Sequence, residues 1–204
     1  MREKTVFFKW FVWLDSKVLG GKELNIDQIV RKDLNEFQHS SVLVYGDLND
    51  ENITPFIRLH SICQTGDIFG SKKCDCGRQF EKSLELILDN GSGALFYLTD
   101  HEGRGIGLFN KALTYLLQQD GLDTVEANLE LGLDVDRRQY GEAINILGYL
   151  TNRPINLITN NPLKISSLLE SQLDIKEIIP LWTEASEHNA YYVQTKIEKT
   201  GHLI

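Results

Sequence analysis

The sequence has no apolar run that approaches the roughly 20 residues that a transmembrane helix requires, and it has no low-complexity tract. Its most apolar stretch near the start, TVFFKWFVWL at residues 5–14, is interrupted by Lys9 and precedes no small-residue cleavage pattern. Basic charge is also scarce, because 21 lysines and arginines face 29 acidic residues, for a net charge of −8. We therefore expect a cytoplasmic protein that has no membrane segment and does not bind nucleic acid, since nonspecific binding there needs a basic field over many phosphates.

An acidic chain can still bind a small anion, because a triphosphate needs only a few cations that converge on one pocket. Arg58, Arg104, Arg138 and Lys164 could supply them. The length of 204 residues, with 42% hydrophobic and 25% charged residues, is typical of one ordinary globular domain.

Patterns along the chain predict strands and helices in a particular order. The segments SVLVYGDL and PFIRLHSI predict two strands that the turn LNDENIT joins as a hairpin, after a β-prone aromatic opening at residues 6–14. The stretch KDLNEFQHSS has no assigned place. Further strands are predicted over GALFYL, INLIT and IKEIIPL, and helices over residues 77–90, 108–119 and 137–147 and from Asn161 onward. Because strands first pair locally and later alternate with helices, the expected class is α/β (mixed α+β), a single domain with a mixed, partly antiparallel sheet flanked by helices.

The three cysteines, Cys63, Cys74 and Cys76, lie within one short segment with the spacing C-x10-C-x-C. Three thiolates and one open position are typical of a catalytic zinc site. His60 could instead close a structural site as a fourth ligand, and unliganded cysteines are a third interpretation. An odd number of cysteines does not suggest a disulfide framework.

Two loops could hold phosphate groups. HEGRGIGLFNK places three alternate glycines between a strand and a helix, where backbone amides can face an anion, although a tight turn is an equal alternative. TNNPLK lies at a similar junction, but Asn161 followed by Pro162 is ordinary helix-starting chemistry. Local patterns also favour structural roles elsewhere: Asp136 with Gln139 predicts a capping box, and Tyr115 among helix leucines predicts packing.

Seven blocks follow one another along the chain: RLHSICQTGD, CDCGRQFE, EGRGIGLFNK, DTVEAN, LGLDVDRRQY, TNNPLK and TKIEKTGHLI. Their order resembles that of GTP cyclohydrolase II, an enzyme of riboflavin synthesis, and the resemblance runs from about residue 41 to the C-terminus. The resemblance implies a catalytic domain over residues 41–204 and a divergent N-terminal segment of the same domain over residues 1–40. We expect no second enzyme domain.

The resemblance also implies a set of site residues. Cys63, Cys74 and Cys76 would hold one zinc ion per chain, and Asp136, Arg138 and Tyr115 would be catalytic. The nucleotide would contact Arg58, His60, Ser61, Gln79, Glu102, Gly103, Arg104, Thr124, Thr159 and Lys164.

The implied reaction opens the imidazole ring of GTP, releases formate and diphosphate, and gives a diaminopyrimidinone ribosylamine phosphate. Zinc would activate water for attack at C8, magnesium would bridge the phosphates, and the enzyme would be a homodimer. The family assigns Arg138 as a nucleophile on the α-phosphorus, activated by Asp136. A guanidinium keeps its proton to a pKa above about 12, so a bidentate phosphate contact is the easier physical role.

Two features depart from the family pattern. Ile62 stands where we expect glutamate, and the loop LTDHEGRG is one residue longer than the usual LRQEGRG, with Thr99, Asp100 and His101 in place of an Arg-Gln pair. Two alternatives to the full reaction therefore stay open: a variant enzyme that stops at a formamidopyrimidine nucleotide, and a zinc-stabilised nucleotide-binding protein without turnover.

Overall fold

The computed structural model describes residues 5–13, 40–183 and 187–202. Within these ranges the strands are β1 (Lys9–Val12), β2 (Ser41–Tyr45), β3 (Phe56–Ser61), β4 (Gly93–Leu98), β5 (Ile155–Ile158) and β6 (Ile175–Ile179). They form one sheet in the order β1-β2-β4-β3-β5-β6. The pairs β1–β2 and β2–β4 are antiparallel, whereas β4, β3, β5 and β6 run parallel to one another.

The α-helices of the described ranges are α1 (Cys76–Asn90), α2 (Gly107–Gln119), α3 (Thr124–Glu130), α4 (Gly141–Leu150), α5 (Pro162–Leu169) and α6 (Ala190–Thr200). A π-helical turn covers Gln64–Ile68, and a kinked 3-10 segment covers Thr99–Arg104. None of the helices in these ranges combines the length and the hydrophobicity that a membrane span requires.

Helices cover both faces of the sheet. Neighbouring residues of β4 point to opposite sides, so that Phe96 joins a buried cluster with Leu147 of α4, while Leu95 joins a second cluster with Ile87 of α1. All four side chains are fully buried. This arrangement confirms the expected mixed, partly antiparallel α/β fold.

The predicted hairpin of β2 and β3 is wrong. Strand β4 lies between them and pairs antiparallel with β2 and parallel with β3. Ten residues separate Tyr45 from Phe56, which is longer than the usual hairpin loop of two to five residues and lets the chain pass beside the place of β4. The inner residues of β3 are buried, as expected for a strand flanked on both sides.

The helix predicted over residues 137–147 begins four residues later, at Gly141. The predicted capping box of Asp136 and Gln139 is wrong, because the carboxylate of Asp136 binds Arg138 instead. A true capping box lies earlier, where Asp123 and Glu126 begin helix α3, which the hydrophobic pattern did not predict.

Other predicted elements are confirmed. Helix α1 ends at Gly91, whose left-handed φ of 84° is the expected terminator, and the Asn161 side chain caps α5 with Pro162 in its first turn. Strand β1 lies inside the aromatic opening. The stretch KDLNEFQHSS falls almost entirely outside the described residues.

Candidate functional site

One cavity of about 570 Å³ lies at the carboxyl ends of the parallel strands. Residues that follow β3, β4, β5 and β6 all line it, including Cys63, Glu102, Thr159 and Trp182. Ligands of α/β sheets bind at this edge because the loops after parallel strands meet there. The topology therefore brings separate sequence blocks to one place.

The three cysteine sulfurs form a group whose atoms lie within 4.8 Å of one another, and Cys63 Sγ is 3.6 Å from Cys74 Sγ. A tetrahedral zinc with Zn–S bonds of about 2.3 Å would hold its sulfurs about 3.8 Å apart. The cysteines thus fit a zinc ion. Hydrogen bonds from Cys74 and Cys76 lower the pKa of Cys63, and the contact with Cys63 raises the pKa of Cys74 to about 11.

His60 does not belong to this group of possible metal ligands. Its Nε2 is 3.0 Å from the Asp67 carboxylate, and its ring stacks on Tyr97 at 5.6 Å. Asp67 also accepts hydrogen bonds from the Cys63 backbone at 2.9 Å and the Tyr97 hydroxyl at 3.1 Å. The pair of His60 and Asp67 therefore holds the first cysteine in place, and the interpretation of His60 as a fourth ligand gains no support from the geometry.

Glu102 joins the glycine-rich loop to the cysteine loop. Its carboxylate accepts hydrogen bonds from the backbone of Gln64 at 2.8 Å and of Gly103 at 3.1 Å. It also accepts one from Lys111 Nζ at 2.7 Å, and the same ammonium lies 3.2 Å from Cys63 Sγ. A buried cation beside a thiolate stabilises the charged form of the sulfur.

The glycine-rich loop is a tight turn that also forms part of the cavity wall. Gly103, Arg104 and Gly105 all adopt positive φ. At Gly105 a Cβ atom would lie 3.1 Å from the Cβ of Arg137 and 3.3 Å from the Arg138 nitrogen. Only glycine therefore allows the Arg138 segment to pack against this loop.

Besides Lys73, Lys111 and Lys196, four further cations line the cavity: Arg58, Arg104, Arg138 and Lys164. Arg58 donates to the Ile158 carbonyl at 3.1 Å and to Gln79 at 2.7 Å, and burial lowers its pKa to about 10. Lys164 donates to the Leu59 carbonyl at 2.6 Å. Burial, with the charges of Arg58 and Arg138, places the pKa of Lys164 well below its ordinary value.

Arg138 is held by Asp136, which accepts from its Nε at 2.8 Å and from its Nη2. Burial alone would lower the pKa of Arg138, but the hydrogen bonds with Asp136 outweigh this effect and raise it. Asp136 lies behind the arginine and does not line the cavity.

The other sequence-predicted residues line the same cavity. They are Arg58, His60, Ser61, Cys63, Cys74, Cys76, Gln79, Glu102, Gly103, Arg104, Tyr115, Thr124, Arg138, Thr159 and Lys164. Tyr115 reaches it from α2, with its hydroxyl 3.4 Å from Thr65 Oγ1 and the Lys73 ammonium 5.0 Å from its ring. Burial raises the pKa of Tyr115. Ile62 also lines the cavity, so its apolar side chain is part of the wall.

Sequence reasoning missed a buried chain of polar contacts that enters from the C-terminal helix. Lys196 donates to Asp75 at 2.7 Å, Gln79 Nε2 donates to the same carboxylate at 2.6 Å, and Arg58 donates to Gln79. Asp75 stands between two cysteines in the sequence and is 1% exposed. A buried acidic residue between two cysteines needs a cationic partner, and this requirement could have indicated the contact from the sequence.

Comparison with known proteins identifies one family model: GTP cyclohydrolase II matches residues 26–180. GTP cyclohydrolase-2 of Streptomyces coelicolor is 48% identical over 160 residues, which cover 78% of this chain and 72% of that protein. GTP cyclohydrolase-2 of Buchnera aphidicola is 46% identical over 162 residues, which cover 79% of this chain and 82% of that protein.

The riboflavin biosynthesis protein RibBA of Bacillus subtilis is 50% identical over 161 residues, or 79% of this chain and 40% of that protein. Among five similar riboflavin biosynthesis proteins, the chain spans 36% to 43% of the relative's length.

The buried pair of Asp75 and Lys196 yields a stability prediction. Burial would raise the pKa of Asp75, but Lys196 and Gln79 outweigh it and hold that pKa below its ordinary value. Lys196→Met leaves the buried carboxylate without its cation, and we expect a loss of about 3 kcal/mol in the free energy of unfolding, measured in urea.

Lys199→Met is the matched control, three residues further along α6. Its ammonium also binds carboxylates, Asp123 and Glu126, but its side chain is 38% exposed, so we expect a clearly smaller loss. Equal losses for the two variants would contradict the prediction.

Proposed function

The chain belongs to the GTP cyclohydrolase II family, and from that premise we propose that it opens the imidazole ring of GTP by hydrolysis, with release of formate and diphosphate. The observation that carries the proposal is one cavity that is lined by the three cysteines and by four cations, two of which, Arg58 and Lys164, are buried. A purine nucleotide triphosphate needs both parts, one for its base and one for its phosphates. We propose that residues 41–204 form this catalytic domain and that residues 1–40 belong to it.

The phosphate end of the site is formed by Arg58, Arg104, Arg138 and Lys164. Charged donors in a cavity with little water bind phosphate oxygens strongly, and an oriented guanidinium can contact two oxygens at once. Asp136 fixes the plane of Arg138 before the ligand arrives. Because Arg138 stays protonated, we propose that it stabilises developing charge at the α-phosphate and does not attack the phosphorus.

At the metal end of the same cavity, Cys63, Cys74 and Cys76 would hold one zinc ion. When bound, the ion would supply Lewis acidity that activates water at neutral pH. Lys111 and Glu102 keep Cys63 and the next residue in position, and Asp67 holds the Cys63 backbone. This chain's contribution at that end is therefore a fixed arrangement of thiolates.

Tyr115 is the proton donor that we propose for hydrolysis of the formylated intermediate. Its raised pKa keeps the phenol protonated at working pH, and its hydroxyl lies near Thr65, two residues after Cys63.

Magnesium would arrive with the triphosphate, since it is bound mostly through substrate phosphates. Within the described residues, the cysteines form the one group of three or more His, Cys, Asp or Glu side chains close enough to hold a metal.

We further propose that the protein is a cytoplasmic homodimer, as the family resemblance implies. Phe109 and Leu116 lie seven residues apart on α2 and are 77% and 58% exposed, which gives this helix an apolar stripe on its outer side. Such a stripe is compatible with an interface between subunits.

The assay that tests the proposed function follows formate, diphosphate and the pyrimidine chromophore together after zinc-loaded protein is mixed with GTP and magnesium. Equal amounts of formate and diphosphate are expected. Cys74→Ser, which removes one sulfur, should release no formate. Diphosphate or ring opening alone from the parent protein would support a truncated reaction, and tight GTP binding without turnover would support a binding protein.

Tyr115→Phe separates the two hydrolytic steps. The variant keeps the ring that packs beside Lys73 and Lys111 but loses the phenolic proton. We expect imidazole ring opening to continue while formate release falls by about 100-fold or more, so that a formamidopyrimidine nucleotide accumulates. Chromatography with mass detection measures it. Formate release at the parental rate would remove Tyr115 from the proposed mechanism.

We predict that Lys164 takes up a proton when the nucleotide binds. Its pKa is low because the ammonium is buried beside Arg58 and Arg138, and a bound triphosphate would raise it by supplying negative charge. At a pH between the free and bound values the site must gain a proton, so affinity weakens as pH rises through that interval. Calorimetry of zinc-free protein with GTP, in two buffers of different ionisation enthalpy, measures the uptake, and Lys164→Met should abolish it. Uptake that persists in the variant would assign the proton elsewhere.

A further inference from the structure

We propose that His101 is a positioning residue for Arg138 and that it acts through the hydroxyl of Ser61. This inference rests on the proposed function, because it concerns the arginine that would contact the α-phosphate. It gives a role to the longer loop, whose sequence departs from the family pattern at residues 99–101. His101 is 2% exposed and reaches the cavity wall from the 3-10 segment after β4.

The hydrogen bonds of His101 define its tautomer. Its Nε2 lies 2.9 Å from the backbone carbonyl of Gln139, and a carbonyl oxygen can only accept, so this nitrogen must carry a proton. Its Nδ1 lies 3.2 Å from Ser61 Oγ. In a neutral imidazole with the proton on Nε2, Nδ1 is an acceptor, and the Ser61 hydroxyl must therefore donate to it.

The neutral form is favoured by the surroundings. Burial lowers the pKa of His101 to about 4, and the charges of Arg138 and Lys164 act in the same direction. Asp100 opposes them, but its carboxylate is 3.8 Å from Nε2 and 60% exposed to solvent. The imidazole therefore stays neutral over the range in which an enzyme of this kind works.

The orientation of Ser61 then determines what Arg138 can do. Because the hydroxyl proton points to His101, the lone pairs of Ser61 Oγ face the guanidinium, whose Nη1 donates to it at 3.3 Å. Asp136 binds Nε and Nη2 of the same group. Two contacts on one edge and one on Nη1 fix the guanidinium plane, which a single carboxylate would leave free to tilt.

A charged or reversed imidazole would change this arrangement. If Nδ1 carried the proton, it would donate to one lone pair of Ser61 Oγ and leave only the other for Arg138, and the hydroxyl proton would have to turn to a different acceptor. Arg138 donates to Ser61, Ser61 donates to His101, and His101 donates to the backbone carbonyl of Gln139. Because that carbonyl can only accept, it fixes the direction of all three hydrogen bonds. Gln139 directly follows Arg138, so the contacts close a ring.

The experiment compares kcat and KM for five variants of the zinc-loaded protein with GTP. His101→Ala removes both contacts, and we expect kcat to fall about tenfold with KM nearly unchanged, because orientation of Arg138 matters most in the transition state. His101→Asn places an amide oxygen near the former Nδ1 and should restore most of kcat. Asp100→Asn is the control for a charge effect and should leave kcat at the parental value.

Ser61→Ala and the double variant Ser61→Ala/His101→Ala complete a cycle. If His101 acts through Ser61, the double variant is no slower than Ser61→Ala alone, whereas independent structural damage would multiply the two losses. Nitrogen NMR of the parent should show His101 as the Nε2–H tautomer, a readout that does not depend on turnover.

The results distinguish a failure of the proposed function from a failure of the role of His101. A parent protein that does not turn over GTP contradicts the proposed function, and the NMR spectrum then still tests the tautomer. An active parent whose His101→Ala variant keeps its kcat, or whose double variant shows multiplied losses, overturns the role of His101. A proton on Nδ1 overturns it as well.

Discussion

The site depends on the parallel pairing of β3 with β4 on one side and with β5 on the other. Parallel strands end at the same edge, so the cysteine loop, the glycine-rich loop and the TNNPLK loop must meet there. Side chains then hold the strands in that relation: Arg58 of β3 donates to the Ile158 carbonyl of β5, and Lys164 donates to the Leu59 carbonyl of β3. Two of the cations that would bind phosphate are thus also structural contacts: Arg58 joins β3 to β5, and Lys164 joins α5 to β3.

Arg58 and Lys164 are therefore buried in a place where the protein's own groups do not fully stabilise their positive charge. Arg58 and Lys164 both have lowered pKa values because burial disfavours their charged forms. An anionic ligand would relieve that cost, so part of the free energy lost by burying these cations would be recovered on binding. A neutral ligand of the same shape could not recover it, and for this reason local charge selects an anion in a chain whose net charge is −8.

Local patterns predicted much of the fold and less of the site. The spacing of apolar residues was sufficient for α1 and for β4 to β6, because each carries its own signal. The position of β4 between β2 and β3 was not visible, since strand order is decided by crossovers and not by any single segment. The contact of Asp75 with Lys196 spans 121 residues, and the relation of His101 to Ser61 spans 40, so neither has a local pattern. Most cavity residues could be predicted as one site only from the family resemblance of the ordered sequence blocks, because no local pattern shows which blocks lie together.

In the proposed reaction, the departure at Ile62 would limit where proton transfer can occur beside the cysteines. A glutamate there would have placed a carboxylate beside Cys63, whereas the Ile62 side chain has no titratable group. Glu102 does not replace it, because its oxygens are directed to the Gln64 and Gly103 backbone and to Lys111. Glu102 therefore holds loops together. Burial raises the pKa of the Tyr115 phenol, which lines the same cavity, so in the proposed reaction Tyr115 can supply a proton that Ile62 cannot.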